Sequence, residues 1–324
     1  MPEGDTIARA AVALHRALAG RVVTAFATGL APLARVDDDA PIAGRTIEHC
    51  RSLGKHLLIS FSSQPPARTG APGARFLRAG VASAGNQTLS QRGEAQRSSV
   101  PGGASLLLRT HMRMSGSWHL YRPGERWQRP ARGARIRIDT DAWVAVAFDV
   151  PVAEFVHEAD MHRHRPLAML GPDLANPSFD RADALARMRA SGDRAIGEVL
   201  LDQRVVAGIG NVLRSETLFV AGLHPQMAAA RLSAADLTRL LDVAAELLRQ
   251  NARPDAGPMR NTTGRRAPGQ ALWVYQRTGE PCRRCGTAIA SAAPGLEGRR
   301  VYWCPQCQRT AGPETEDRRP KTED

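Results

Sequence analysis

Four cysteines arranged as Cys282-x2-Cys285 and Cys304-x2-Cys307, with eighteen residues between the pairs, offer four thiolates to one tetrahedral ion. A closed set of this kind suits a structural zinc that organises a hairpin too short to hold a core of its own. Two independent disulfides are the alternative, and they need an oxidising compartment. Cys50 is left over as an inert, buried thiol. At the other end of the chain Pro2 follows Met1, whose removal before so small a residue frees a secondary amine. An α-amino group titrates at about 7.7–8.0, so a useful fraction is an unprotonated nucleophile near neutral pH. Glu3 beside it supplies a carboxylate for proton transfer to and from a sugar. The plainer reading, a proline and an acid opening a helix, fits the same residues.

Lys55 stands out by composition. Of 44 basic residues 42 are arginine, and the lysines are only Lys55 and Lys321. A position that keeps a compact, titratable ammonium in an arginine-rich chain is either a functional point charge or a surviving surface lysine. Residues 203–211 read Gln-Arg-Val-Val-Ala-Gly-Ile-Gly-Asn. Two glycines permit a tight turn and Asn211 then opens a helix, so free amides and a helix N-terminus point to one place, a geometry that suits a phosphate oxygen. Gly-x-Gly alone also describes an ordinary helix–helix connection, and here helices rather than a strand precede it. Arg299 and Arg300 lead into the aromatic stretch Val301–Trp303 before the second cysteine pair. An arginine at the tip of a metal-fixed hairpin can clamp a phosphate, or it is a solvated charge.

The elements that must position these groups follow from pattern. Residues 5–19 place Ile7, Ala10, Ala11, Leu14 and Leu18 at helical spacing, with Gly20 as a stop. From 21 to 156 the chain changes to short runs rich in Val, Ile, Phe and Trp, such as 56–61, 105–109, 117–121 and 143–148, which predicts an antiparallel sandwich. Residues 62–104 are rich in Gly, Ser, Ala, Pro and Arg without a sustained period, and read as a long, mobile insertion in a strand connection. From Leu174 the pattern is helical: 179–188, a short helix with Ile196, Val199 and Leu200, another with Val212, Leu213, Leu218 and Phe219, and a capping box, Ser233 with Asp236, ahead of Leu237, Leu240, Leu241, Ala244, Leu247 and Leu248.

A length of 324 residues suits roughly two domains. With 43% hydrophobic and 23% charged residues, disorder throughout is excluded. No apolar run approaches the roughly 20 residues of a membrane span. The N-terminus lacks the pattern of an export signal, so the reducing cytoplasm is the expected compartment. A net charge of +12 and a pI near 10.7 favour a polyanion, nucleic acid first.

Taken together, Pro2-Glu3-Gly4-Asp5, Gly54-Lys55-His56, His111-Met112-Arg113-Met114-Ser115-Gly116, the turn at 208–211 with Glu216, and the four cysteines resemble the Fpg/Nei family of DNA glycosylases. Order and spacing match from end to end, apart from 62–104 and the tail after Gln308. Pro-Glu-Gly-Asp-Thr, Leu-Asp-Gln-Arg and Trp-Val-Tyr are most similar to the endonuclease VIII branch, especially its actinobacterial-type second members.

The resemblance implies an α+β fold: an N-terminal antiparallel β-sandwich with a leading helix, then a helix-two-turn-helix domain and a C-terminal zinc-finger β-hairpin. The expected division is 1–160 for the catalytic sandwich, 161–255 for the helical domain, 256–308 for linker and zinc finger, and 309–324 for a disordered tail. It implies a monomer that works on damaged double-stranded DNA, held in the cleft between the halves, with one structural zinc on Cys282, Cys285, Cys304 and Cys307. No membrane is involved, and the place of work is the cytoplasm, at the nucleoid. The implied activity is a bifunctional glycosylase and AP lyase of base excision repair. Pro2 attacks the anomeric carbon of a flipped nucleotide, and the Schiff base then breaks the strand by β,δ-elimination.

By residue-by-residue matching Glu3 moves protons on the deoxyribose and Lys55 stabilises the phosphate and assists proton transfer. Asn211 and Arg299 grip flanking phosphates, with Arg300 as substitute for Arg299. Glu216 helps to orient the DNA-binding site. Met114 fills the gap left by the flipped base; its alternative role is a sandwich core residue. Thr6 stands where many members have glutamate, and 147–155 shows no pair matching the Arg and Phe gap fillers of the Fpg branch. The second departure favours oxidised pyrimidines over 8-oxoguanine. A glycosylase for oxidised purines and a non-catalytic damaged-DNA-binding zinc protein are the rival readings.

Overall fold

The computed structural model describes residues 2–63, 105–257, 259–293 and 299–309. From residue 64 onward the expected insertion lies outside the described residues, as does the expected tail from 310.

Helix α1, Gly4–Leu18, buries Ile7, Ala11, Leu14 and Leu18 along one stripe, the 3.6-residue period of its sequence. Eight strands follow as two four-stranded antiparallel sheets. One has the order β2 (Ile47–Leu53), β3 (His56–Phe61), β4 (Leu106–His111), β8 (Val152–His157). The other has the order β1 (Ala25–Thr28), β6 (Ala134–Asp139), β7 (Val144–Phe148), β5 (Ser117–Tyr121). Strand β7 reads as an unbroken apolar run, and β3 is apolar apart from His56 and Ser60, because both faces of each are covered. In β3, Leu57, Ile59 and Phe61 enter the core between sheets and α1, whereas Leu58 faces out onto Leu107 and Leu167.

One element contradicts the all-strand reading of 21–156. Residues Ala31–Asp39 form helix α2, with Pro32 in its first turn and Leu33 as its buried residue. So short a buried stripe carries no legible period, and the Asp-rich end reads as loop.

The second half is helical: α3 (Arg165–Ala168), α4 (Arg181–Ala190), α5 (Ile196–Val199), α6 (Asn211–Ala221) and α7 (Ala234–Ala252). The expected capping box is present at α7: Ser233 Oγ accepts from the Asp236 N–H at 3.1 Å and the Asp236 carboxylate accepts from the Ser233 N–H at 3.2 Å. A two-stranded hairpin, β9 (Ala290–Ala292) with β10 (Val301–Trp303), ends the described chain. Helix α1 packs on β2 and β3 and also on α7, so the first residues of the chain lie where the sandwich meets the helical half. No helix among the described residues is long and apolar enough to cross a membrane.

Candidate active site at the interdomain cleft

Glu3 precedes α1 in extended conformation and is 0% exposed. Its carboxylate reaches across to the start of α6, where Oε1 accepts the Val212 N–H at 2.8 Å and Oε2 accepts the Leu213 N–H at 3.0 Å. First-turn amides have no partner within their own helix, and the helix dipole favours an anion there. The Gly4 N–H donates to the Gly208 carbonyl at 2.8 Å, closing the two segments together. The turn needs its glycines: Gly208 has φ +105°, and a Cβ at Gly210 would overlap the Glu3 carboxyl group. At this helix N-terminus, where the turn suggested a phosphate, the Val212 and Leu213 amides are taken by a protein carboxylate.

Arg260 completes the surroundings of Glu3. It donates through Nε and Nη2 to both oxygens of Asp5, and its Nη2 lies 3.9 Å from Glu3 Oε2. Sequence reasoning missed this residue, since one arginine among 42 in a segment without periodicity carries no signal.

Lys55 sits in the turn between β2 and β3. Gly54 before it has φ +57° and donates its N–H to Asp173 Oδ2 at 2.8 Å, tying the turn to the helical half. Pro2, Lys55, Met114 and Arg299 all line one cleft of about 1180 Å³ between the two halves. Met114 is 66% exposed at the turn after β4, while Met112 two residues earlier is buried in the sandwich. The core role considered for Met114 thus belongs to its neighbour.

Asn211 and Glu216, two further residues named from the resemblance, are held by protein partners. Asn211 is buried, and its Nδ2 donates to the Arg300 carbonyl at 3.0 Å while its Oδ1 accepts from Arg214. It joins α6 to the hairpin at the edge of the cleft. Arg214 Nη2 also donates to the Arg299 carbonyl at 3.0 Å, and the Arg300 side chain bonds Ser291 Oγ at 2.9 Å along the hairpin. Arg299, not Arg300, therefore faces the cleft. Glu216 does not face it at all. It is fully buried and accepts the N–H groups of Trp273, Val274 and Tyr275 at 2.7–2.9 Å, together with the Thr262 hydroxyl. Both of its oxygens are engaged in holding the segment that leads to the hairpin, so any orienting of the DNA-binding site by Glu216 is indirect.

Behind Lys55 lies a polar wall that the sequence did not single out. Arg109 donates Nε to His56 Nδ1 at 3.2 Å and pairs with Glu154, which also meets His164 Nε2 at 3.0 Å. Burial first, then the charges of Arg109, His111, His164 and Lys55, push His56 down to about 2. Burial, then Arg113, Arg109 and Lys55, push His111 down to about 4. A lone pair on neutral His56 is what Arg109 requires. Because the folded protein holds His56 neutral while the unfolded chain takes up a proton below about pH 6.5, stability falls with pH below that value, by about 1.4 kcal/mol per pH unit. Urea denaturation is expected to show about 2 kcal/mol less loss between pH 6.5 and 5 for His56→Gln than for the native chain. Equal pH dependence in the two proteins contradicts a buried neutral imidazole.

The four cysteines of the hairpin are unbridged, and their sulfurs lie within 4.8 Å of one another. Separations of 3.5 Å for Cys285–Cys304 and 3.9 Å for Cys282–Cys307 bracket the roughly 3.8 Å edge of a tetrahedron with metal–sulfur bonds of about 2.3 Å. The donor set fits a closed, all-sulfur metal site.

Comparison with known proteins agrees with this architecture. Residues 1–151 match the formamidopyrimidine-DNA glycosylase N-terminal domain and residues 170–262 match the formamidopyrimidine-DNA glycosylase H2TH domain. The chain is 38% identical to a probable endonuclease 8 2 of Streptomyces coelicolor, over 97% of this chain and 95% of the relative. It is 34% identical to the DNA-(apurinic or apyrimidinic site) lyase Nei2 of Mycolicibacterium smegmatis, over 95% and 99%. Among solved structures, a Lactococcus lactis Fpg (MutM) in complex with DNA containing N7-benzyl-Fapy-dG superposes with a TM-score of 0.68 at 20% identity, covering 95% of this chain and all of that one. With both domain models matched in order and relatives aligned almost end to end, the chain belongs to the formamidopyrimidine-DNA glycosylase and endonuclease VIII family.

Proposed function

We propose that the protein is a bifunctional DNA glycosylase and AP lyase of base excision repair that removes oxidised pyrimidines from double-stranded DNA. The observation that carries this reading is the seat of Pro2: it lines the cleft while Glu3, one residue on, is locked to the helical half by two backbone amides. The nitrogen of Pro2, freed when Met1 is removed, attacks C1′ of the flipped nucleotide. The bond from C1′ to the base breaks and the base leaves with a proton. Ring opening at O4′, with a proton passed by Glu3, yields the iminium adduct on Pro2. Loss of a C2′ proton then expels the 3′ phosphate, and a second elimination expels the 5′ phosphate. Lys55 sits in the cleft wall to meet the phosphate charge and to assist proton transfer.

Arg299 contacts a phosphate beside the lesion, and Asn211 sets the hairpin from which it projects. Met114, on an exposed turn at the cleft, fills the space left by the flipped base. One zinc on Cys282, Cys285, Cys304 and Cys307 orders the hairpin and takes no part in the chemistry. The protein acts as a monomer in the cytoplasm, at the nucleoid. Preference for pyrimidines is supported by the endonuclease 8 relatives and by the absence of an Arg and Phe pair at 147–155, which holds no arginine. Excision from defined duplexes tests it: thymine glycol and dihydrouracil are removed faster than 8-oxoguanine, and the reverse order refutes the preference.

Phosphate contacts make binding depend steeply on salt, with a slope of about −0.9 per phosphate neutralised in a plot of log affinity against log salt. Arg299→Ala is expected to reduce that slope by about one contact's worth, and Arg300→Ala to leave it unchanged. Fluorescence anisotropy on an abasic-site duplex at several salt concentrations measures both; equal slopes for all three proteins contradict the assignment.

A further inference from the structure

We infer that Arg260 is a positioning residue for the reaction of Pro2, acting through Asp5 and Glu3; the inference rests on the Pro2 reading above. Asp5 lies in the first turn of α1, nearly wholly buried, and takes both arms of the Arg260 fork, Nε to Oδ2 and Nη2 to Oδ1 at 2.5 Å. The same Nη2 lies 3.4 Å from Thr6 Oγ1 and 3.9 Å from Glu3 Oε2. One guanidinium thus touches residues 3, 5 and 6, on the segment whose first member carries the amine. A fork of this kind fixes direction as well as distance, which an ammonium does not.

The post on which Arg260 stands is itself fixed. The Asn261 N–H donates to Asn251 Oδ1 at 2.7 Å, and Asn251 Nδ2 donates back to the Asn261 carbonyl at 2.9 Å, at the end of α7. The Thr262 N–H donates to the Ala271 carbonyl at 2.8 Å, and its hydroxyl to Glu216. Glu216 thereby acts on the N-terminus at two removes, by holding the segment that carries Arg260. The rest of α1 does not depend on this contact, since Ile7, Ala11, Leu14 and Leu18 already seat the helix in the sandwich core. Loss of the fork leaves two buried carboxylates, Glu3 and Asp5, close together without their shared cation, and the displacement falls on residues 2–6. Misplacement by about 1 Å at a reacting atom costs on the order of 10²-fold in rate.

The test separates rate from binding and from folding. Strand cleavage of an abasic-site duplex is measured in single turnover for Arg260→Lys and for the isosteric Asp5→Asn. Each rate is expressed per molecule that borohydride can trap, so that misfolded protein does not count. Affinity is measured on a duplex carrying the uncleavable tetrahydrofuran analogue. Both variants are expected to cleave roughly ten-fold or more slowly per trapped molecule with affinity within about two-fold of the native chain. Combined with Glu3→Gln, either substitution is expected to add little. Unchanged rates per trapped molecule, an affinity loss that matches the rate loss, or full additivity with Glu3→Gln each overturn the role of Arg260 while leaving Pro2 chemistry standing. No trapping by the native chain overturns Pro2 chemistry and this role with it.

Discussion

A single residue left ahead of Pro2, Met1 or a remnant of a tag, lowers strand cleavage at an abasic site by at least about 10³-fold, the scale on which loss of a covalent nucleophile is felt. Acylation turns the amine into a tertiary amide, whose lone pair is delocalised into the carbonyl. The chain cannot slide to offer another group, because Glu3 is pinned by Val212 and Leu213 and Gly4 by Gly208. Affinity for the duplex changes far less, by no more than about three-fold, because the cationic groups that meet phosphate lie elsewhere in the cleft. Cleavage and anisotropy on the same preparation, with the terminal mass verified, check the split. Full cleavage by protein that retains Met1 contradicts it.

The second large effect is that of Glu3→Gln, which differs from the native side chain by one amide group. General acid–base catalysis contributes roughly 10²–10⁴-fold, so the cleavage rate is expected to fall by that order. The substitution also costs stability. Glu3 presents two acceptor oxygens to two N–H donors, whereas glutamine turns an NH₂ group toward one of them; an unmet buried donor costs about 1–3 kcal/mol. Both losses are expected together, in single-turnover cleavage and in urea denaturation. A variant that cleaves at the native rate removes Glu3 from the chemistry, and one that loses rate without losing stability contradicts the seat described for it.

What the chain discloses before folding follows the range of the interactions concerned. The cysteine spacing, the capping box of α7, the stripe of α1 and the strands β3, β5 and β7 are set by near neighbours or simple periods, and all can be read directly. Helix α2 is hidden because one buried leucine does not make a period. The use of the Gly208–Gly210 turn is half visible: glycines and a helix N-terminus announce an anion, but a phosphate and the Glu3 carboxylate are chemically alike to that reading, and only the fold brings Glu3 there from more than two hundred residues away. Glu216 shows what a resemblance leaves out. Matching to the family marks it as a residue that orients the site, but only its partners at 262 and 273–275 show that it does so as a buried anchor. Arg260, Arg109 and Glu154 acquire meaning only from partners distant in sequence, so no local pattern identifies them.

The central claim concerns one covalent bond, and it is measured by reducing the protein with borohydride on an abasic-site duplex, digesting the adduct and locating the added sugar mass on a peptide. The modified peptide is predicted to begin at Pro2 with the mass on its nitrogen. An adduct on the peptide that contains Lys55, or no adduct from protein with a free N-terminus, contradicts the account.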